Sequence, residues 1–347
     1  MNEKPPPSLR MIAEKASVSR ATVSLALRNH PSIPAATRDR IQRIAKEAGY
    51  QPSALVSTML AQVRRRQPAK QRVTIAWLSS QRPPTARYAE QYPFLADLFA
   101  GASRRAEELG YRIEEFWAKE PGMTGRRLTS VLLTRNIRGL LLAPMPSPRG
   151  HLSLDWSQFA VAAMAYSPWR PAVHRVIVNH FEFTRDAFRR LARLGHRRIG
   201  LATFQILNER VNHQIRAAIL DCQQRVARAN RVPPLLLKRW DDRILRQWFL
   251  RYQPDGVLTT LTEVADAIRA CSRRIPEDVS CVFLGKHASL PGFTAIDNRG
   301  EAIGAAAVDL VVEQLHHNEY GLPKSPKVVM VEGRWDDGMS VRQRTNR

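Results

Sequence analysis

Acidic side chains are in short supply in this chain: 31 Asp and Glu stand against 54 Lys and Arg, a net charge of +23. With a sequence pI near 11.0, it is matched to polyanions, chiefly nucleic acid, with an acidic membrane surface the formal alternative. Cysteine is rarer still. Cys222, Cys271 and Cys281 are odd in number and lack metal-ligand spacing, which argues against a disulfide framework and fits free thiols in a reducing compartment. Long apolar runs are missing too. Leu140 to Pro144 and Phe159 to Tyr166 fall far short of the roughly 20 residues a membrane helix needs. Met1-Asn2-Glu3-Lys4 and three prolines open the chain without an apolar secretory segment, so the expected location is cytoplasmic. There is no GxGxxG after a strand, no P-loop, no HExxH and no G-x-S-x-G. His151, His174 and His180 lack a partnered nucleophile, and Asp241-Asp242 and Asp336-Asp337 read as surface charge. No enzyme, cofactor or metal is expected.

What the chain does have is a dense helical pattern from Ser8 to Tyr50, after a leader read as disordered. Its length favours about two to three domains. Leu9, Ile12, Ala13 and Ala16 make one narrow apolar face. Ser17-Val18 form a tight break with Val18 inward, and Ser19 is placed to cap a second helix through its hydroxyl. There Val23, Ala26 and Leu27 share the packing face, while Arg20, Ala21, Ser24 and Arg28 look away. A third helix buries Ile41, Ile44, Ala45 and Ala48 and closes at Gly49. Short hydroxyls for phosphate and a long donor for base edges suit the second helix to DNA recognition. A plain three-helix unit without a DNA role is the alternative. Positive charge is densest here, with roughly +10 through Arg72 and roughly +13 in the much longer remainder.

Val18, Ser19, Thr22, Val23 and Ser24, then Thr37-Arg38, then Gly49, Tyr50 and Pro52 meet the pattern V-S-x-x-T-V-S, T-R, G-Y-x-P at fixed offsets. In this the chain resembles the lactose-repressor (LacI/GalR) family of transcriptional regulators. The resemblance implies that Arg20, Ala21 and Leu25 occupy the base-reading positions. An arginine there can donate twice to guanine, Ala21 offers a methyl group to thymine, and Leu25 departs from the usual polar residue. Ser19, Thr22, Ser24, Thr37 and Arg38 would hold phosphates. Residues 51–71 would be the hinge helix and linker, where Val56 replaces a small alanine and Met59, beside Leu60, takes the place of a minor-groove leucine wedge. Packing of these side chains between hinge helices is the other reading, and the Arg64-Arg65-Arg66 run is either a phosphate contact or a solvated face.

From residue 72 onward, short β-branched runs alternate with helical patterns, which implies parallel sheets covered by helices. Leu191, Leu194, Gly195, His196 and Ile199 meet the family's L-x-x-L-G-H-x-x-I. The implied fold is an all-α helix-turn-helix headpiece (1–50) plus an α/β periplasmic-binding-protein-like core of two parallel-sheet subdomains (72–347). The N-subdomain is expected at about 73–178 and 300–328, and the C-subdomain at about 179–299 and 329–347. For the cleft between them the resemblance points to Arg210, with His213 in place of a glycine, to Asn298, and to His180 at the crossing. The family's sugar-binding aspartate is absent, and Lys286-His287 stands in that region. Two readings stay open: an anionic effector such as a sugar acid or phosphate, or either no small molecule or one read by backbone and aromatics. Tyr88, Tyr92, Phe94 and Trp169 are ring-stacking candidates or packing residues.

The combined expectation is a homodimeric transcriptional regulator, read as a repressor. It would bind a palindromic double-stranded DNA operator at the nucleoid under control of a sugar or sugar-derived effector. A periplasmic-type solute-binding protein is the rival, and the headpiece argues against it. A nucleotide-binding oxidoreductase would need a glycine-rich turn where Ser79 to Pro84 stand.

Overall fold

The computed structural model describes residues 9–27, 32–48, 50, 72–88, 92–287 and 289–344. Gly49, Pro52 and the hinge candidates Val56, Met59 and Leu60 lie outside the described residues, as does Arg28. The headpiece consists of α1 (Leu9–Ala16), α2 (Arg20–Leu27) and α3 (Ala35–Glu47). Ile12, Ala13, Ala16, Val23, Ala26, Ile41 and Ala45 form its core, with Ile44 and Leu27 only half-buried against it.

The first half of the core holds β1 (Val73–Ser79), α4 (Pro93–Glu108), β2 (Tyr111–Trp117), α5 (Gly125–Thr134), β3 (Gly139–Leu142), β4 (Gly150–His151), β5 (Ala160–Ala163), β6 (Pro168–Arg170) and β7 (His174–Val178). The chain then builds α6 (His180–Arg193), β8 (Ile199–Phe204), α7 (Gln205–Arg210), α8 (Gln214–Gln224), β9 (Leu235–Leu237), α9 (Asp242–Tyr252), β10 (Gly256–Thr259), α10 (Val264–Ala270), β11 (Ser280–Phe283) and β12 (Ala295–Asp297). It closes with α11 (Gly300–His317), β13 (Val328–Val331) and β14 (Arg334–Asp336).

Two six-stranded sheets result, ordered β13-β7-β5-β3-β1-β2 and β14-β12-β11-β10-β8-β9. The first is parallel throughout, and in the second only β14 runs antiparallel to its neighbour. The inner strands β3, β5, β10 and β11 are buried on both faces, as expected where helices cover both sides of a parallel sheet. The chain passes between sheets at Asn179, at Asn298-Arg299 and after Val331. The last position corrects the boundary expected at residue 328, because all of β13 pairs with β7. The first and third passages are tied together: Asn179 N donates to Val331 O at 2.9 Å and Asn179 Nδ2 to Glu332 Oε1 at 2.9 Å.

Sequence periodicity did not reveal α9 or β9. Asp241, read as surface charge, caps α9: its Oδ1 accepts from Arg243 N at 3.0 Å and Ile244 N at 3.2 Å. The Leu-Gly-His motif is architectural. Gly195 takes a φ of +91° as α6 ends, and buried His196 faces Arg342 O at 3.2 Å and Asp255 at 3.6 Å. Burial alone would raise the Asp255 pKa, yet the nearby His196 ring and hydrogen bonds from the amides of Arg197 and Arg198 hold it below the usual carboxylate range.

The N-subdomain depends on the packing of α4 against α11. A Cβ on Gly101 would lie 2.0 Å from Glu301 O, and one on Gly304 2.0 Å from Leu98 O. The neighbours are backbone, so they cannot swing aside. Gly304→Ala must push the helices apart and should destabilise the protein by about 1–3 kcal/mol. Urea unfolding of the variant against the unmodified chain measures this; equal midpoints would contradict the close packing.

Candidate DNA interface and effector cleft

The headpiece holds α2 in place through both ends. Ser17 adopts φ +50°, and Val18 N donates to Ala13 O at 3.0 Å, so α1 closes in a left-handed cap. Ser19 Oγ accepts from Thr22 N at 3.0 Å and lies 2.9 Å from Thr22 Oγ1, which is the N-cap expected from sequence. Two side chains of α3 complete the hold: Arg40 Nη2 donates to Ala16 O at 3.2 Å and Gln42 Nε2 to Ala26 O at 3.1 Å. Neither Arg40 nor Gln42 carried a sequence signal, because tertiary bonds to helix ends leave no periodicity.

On this frame Arg20 and Ala21 are exposed in the first turn of α2, while Leu25 is half-buried one turn on. Ser19 is exposed, and Thr22, Ser24, Thr37 and Arg38 are half-buried. The hydroxyls of Ser19 and Thr22 serve the cap first. Thr37 and Arg38 lie in the first turn of α3, whose preceding residue Pro34 gives no side-chain cap, leaving amides open to an anion. Arg20 and Arg38 form no ion pair with another described residue.

The core offers a second polar centre along the carboxyl ends of its strands, where open α/β sheets bind ligands. Arg210 ends α7, just beyond β8. His180 opens α6 at the first passage, and Asn298 follows β12 at the second. All three are half-buried, and Arg210 Nε, His180 Nδ1 and Asn298 Oδ1 are buried atoms with no hydrogen-bond partner among the described residues. Ser80 Oγ and Gln81 Oε1, after β1 on the facing subdomain, are likewise unpartnered. Sequence reading assigned these two no ligand role, although their place after a first strand was a usable signal. Burial draws the Arg210 pKa down, with Tyr92 of the opposite subdomain acting against that shift. Burial also pushes His180 down to about 3, which keeps its imidazole neutral near neutral pH.

Lys286 and His287 are placed otherwise than the sequence suggested. Lys286 is exposed and its Nζ lies 2.8 Å from Asp336 and 3.9 Å from Asp297, so two carboxylates already occupy its charge. His287 is exposed, and its Nδ1 lies 2.7 Å from Ser289 Oγ within the same turn. Of the ring candidates, Tyr92 and Trp169 are exposed at 45% and 47%, and Phe94 packs on the core.

A helix-turn-helix unit joined to a two-subdomain fold with a polar cleft defines a DNA-binding transcriptional regulator. Residues 8–53 match the family described as bacterial regulatory proteins, lacI family, and residues 188–341 the periplasmic binding protein-like domain. The chain is 24% identical over 353 residues to the HTH-type transcriptional regulator CelR of Thermobifida fusca, covering 91% of this chain and 94% of CelR. It is 26% identical over 197 residues to the repressor CytR of Escherichia coli K12, covering 56% of this chain and 52% of CytR. In fold it is similar to a CelR–cellobiose complex, with a TM-score of 0.55 at 21% identity over 96% of this chain and 99% of that one. A lac repressor dimer bound to operator and an anti-inducer also gives 0.55, at 19% identity over 97% and 99%. The chain thus joins a lacI-family helix-turn-helix domain to a periplasmic binding protein-like domain. Among the described residues no helix is long and apolar enough to cross a membrane.

The His180 environment has a pH consequence. A base whose folded pKa lies near 3, against about 6.5 unfolded, takes up protons in the unfolded chain first. Stability is therefore complete above pH 6.5 and falls as pH drops towards 3, with a slope of at most about 1.4 kcal/mol per pH unit. Urea midpoints between pH 7 and 4.5 should fall more steeply for the unmodified chain than for His180→Gln; parallel curves would show that the imidazole is not held neutral.

Proposed function

We propose that the protein is a repressor, without enzymatic activity, that binds a near-palindromic operator as a homodimer in the cytoplasm and releases it in response to a neutral mono- or disaccharide. Two headpieces would enter major grooves about one turn apart. Arg20 would read a base through its guanidinium, with Ala21 and Leu25 giving methyl contacts. Ser19, Thr22, Ser24, Thr37 and Arg38 would hold the backbone, and Val56, Met59 and Leu60 would meet the minor groove at the centre of the site.

One observation carries the choice of effector: the unpartnered buried atoms at the cleft are of both kinds. Arg210 Nε is a donor, whereas Asn298 Oδ1 and Gln81 Oε1 are acceptors. Sugar hydroxyls donate and accept, so they can satisfy both. A simple carboxylate without hydroxyls would meet Arg210 but leave the amide oxygens unpaired, at about 1–3 kcal/mol each. Neutral His180 adds a partner that suits a hydroxyl. The pairing of Lys286 with Asp336 and Asp297 removes the main support for an anionic sugar, and the similarity to a CelR–cellobiose complex points the same way.

Sites selected from a random DNA pool, with and without cellobiose, glucose or glucuronate, test the reading. A neutral sugar should release the selected DNA, and Arg210→Ala should bind DNA yet ignore the sugar; release by glucuronate alone would overturn the effector class. Arg20→Ala should relax preference at one base pair per half-site, a loss of about 1–3 kcal/mol of discrimination. Arg38→Ala should instead weaken all sequences alike and lower the salt dependence. Identical preference profiles for the Arg20 variant and the unmodified protein would refute the assignment of α2.

A further inference from the structure

A second cavity of about 630 Å³ opens beside the β4–β6 pair, lined by His151, Tyr166, Trp169, Arg170, Arg175 and, from the other subdomain, Asn212. Its size is that of a small-molecule site, and Arg210, His180, Asn298, Ser80 and Gln81 take no part in its lining. Its chemistry is also different. Arg175 on β7 is 8% exposed. Its Nη1 donates to Ala165 O at 3.2 Å, and its guanidinium carbon lies 5.6 Å from the centre of the Tyr166 ring. No carboxylate pairs with it among the described residues, and burial draws its pKa below the ordinary arginine value. A buried guanidinium satisfied by one carbonyl and one ring face retains donors and a full charge, which an anion would answer. Arg170 and His151 add donors at the rim, no Asp or Glu lines the cavity, and Trp169 presents an exposed ring.

We infer that this cavity is a second effector site, for a small organic anion with a flat apolar body, an aromatic carboxylate being the simplest form. The carboxylate would pair with Arg175 and Arg170, and the ring would lie against Trp169. The site spans the subdomains, because Asn212 lies two residues beyond Arg210 and Gln214 Nε2 donates to Tyr166 OH at 3.3 Å. An occupant touching both sides would bind the two subdomain arrangements unequally, and so would alter the response to a ligand in the main cleft.

Equilibrium dialysis of the full-length protein tests this with benzoate, inorganic phosphate and benzyl alcohol. Benzoate should bind saturably, phosphate at least tenfold more weakly, and benzyl alcohol not measurably. Arg175→Met and Trp169→Ala should each weaken benzoate at least tenfold, whereas Arg210→Ala should leave it unchanged. Trp169 is exposed, so its variant tests the site even if Arg175→Met misfolds. Loss of benzoate binding in Arg210→Ala with retention in Trp169→Ala would place the anion in the main cleft and overturn the inference. Absence of saturable benzoate binding, or equal binding of benzyl alcohol, would also overturn it. Neither result touches the sugar reading, which rests on release of DNA.

Discussion

The backbone contact between α4 and α11 is the constraint on which the remainder of the core depends. Gly101 and Gly304 let the helices approach until peptide atoms touch, and Arg104–Glu301 and Arg105–Asp309 pairs at 2.8 Å lie along the same seam. Exposed ion pairs contribute little; the seam is held by close packing. Its consequence is positional. Tyr92 precedes α4 and Asn298 lies two residues before α11, so the fixed pair sets where both enter the cleft. Asp97, near the start of α4, is raised in pKa by burial and by Glu301 and Asp297. Acidic charge therefore gathers at this entrance, and Lys286 is drawn into balancing it.

That arrangement bears on how a ligand could control DNA. The three passages between subdomains are short, and the first and third are hydrogen-bonded to each other through Asn179, Val331 and Glu332. Motion of one subdomain against the other is thus a hinge about a braced edge. A sugar gripping Arg210 on one side and Ser80 or Gln81 on the other would favour one hinge angle. Only such a difference in affinity between arrangements can shift the equilibrium.

The legible parts of the sequence were those with local causes. The headpiece followed from apolar spacing and from Ser19 as a cap, and the alternating strands and helices followed from β-branched runs; both reappear in the structure. What escaped was tertiary. The pairing of Lys286 with Asp336 joins residues fifty positions apart, and nothing at Lys286 announces it. Helix α9 did have a local cause, Leu245, Trp248 and Phe249 at i, i+3 and i+4 behind the cap Asp241. For the cleft, position was readable but partnership was not. Arg210, His180 and Asn298 carry unpartnered buried atoms, while the neighbouring lysine and histidine are engaged elsewhere.

The replacement of the family's glycine by His213 shows why a motif departure need not disable a site. Asn212 and His213 both have positive φ, +56° and +61°, in the break between α7 and α8. A glycine adopts that conformation without strain, so the position asks for a backbone shape and supplies no ligand atom. Histidine there carries a cost of about 1–3 kcal/mol, and the surroundings offset it. His213 N donates to Asn208 O at 2.7 Å, the buried Asn208 amide lies 3.2 Å from His213 Nδ1, and Asn208 Oδ1 accepts from Arg216 N at 3.1 Å. The break is therefore fixed by side-chain bonds where glycine would rely on conformational freedom alone. Arg210 precedes this braced turn and Asn212 lies within it, so the three residues from Arg210 to Asn212 connect the two cavities through a backbone of defined geometry.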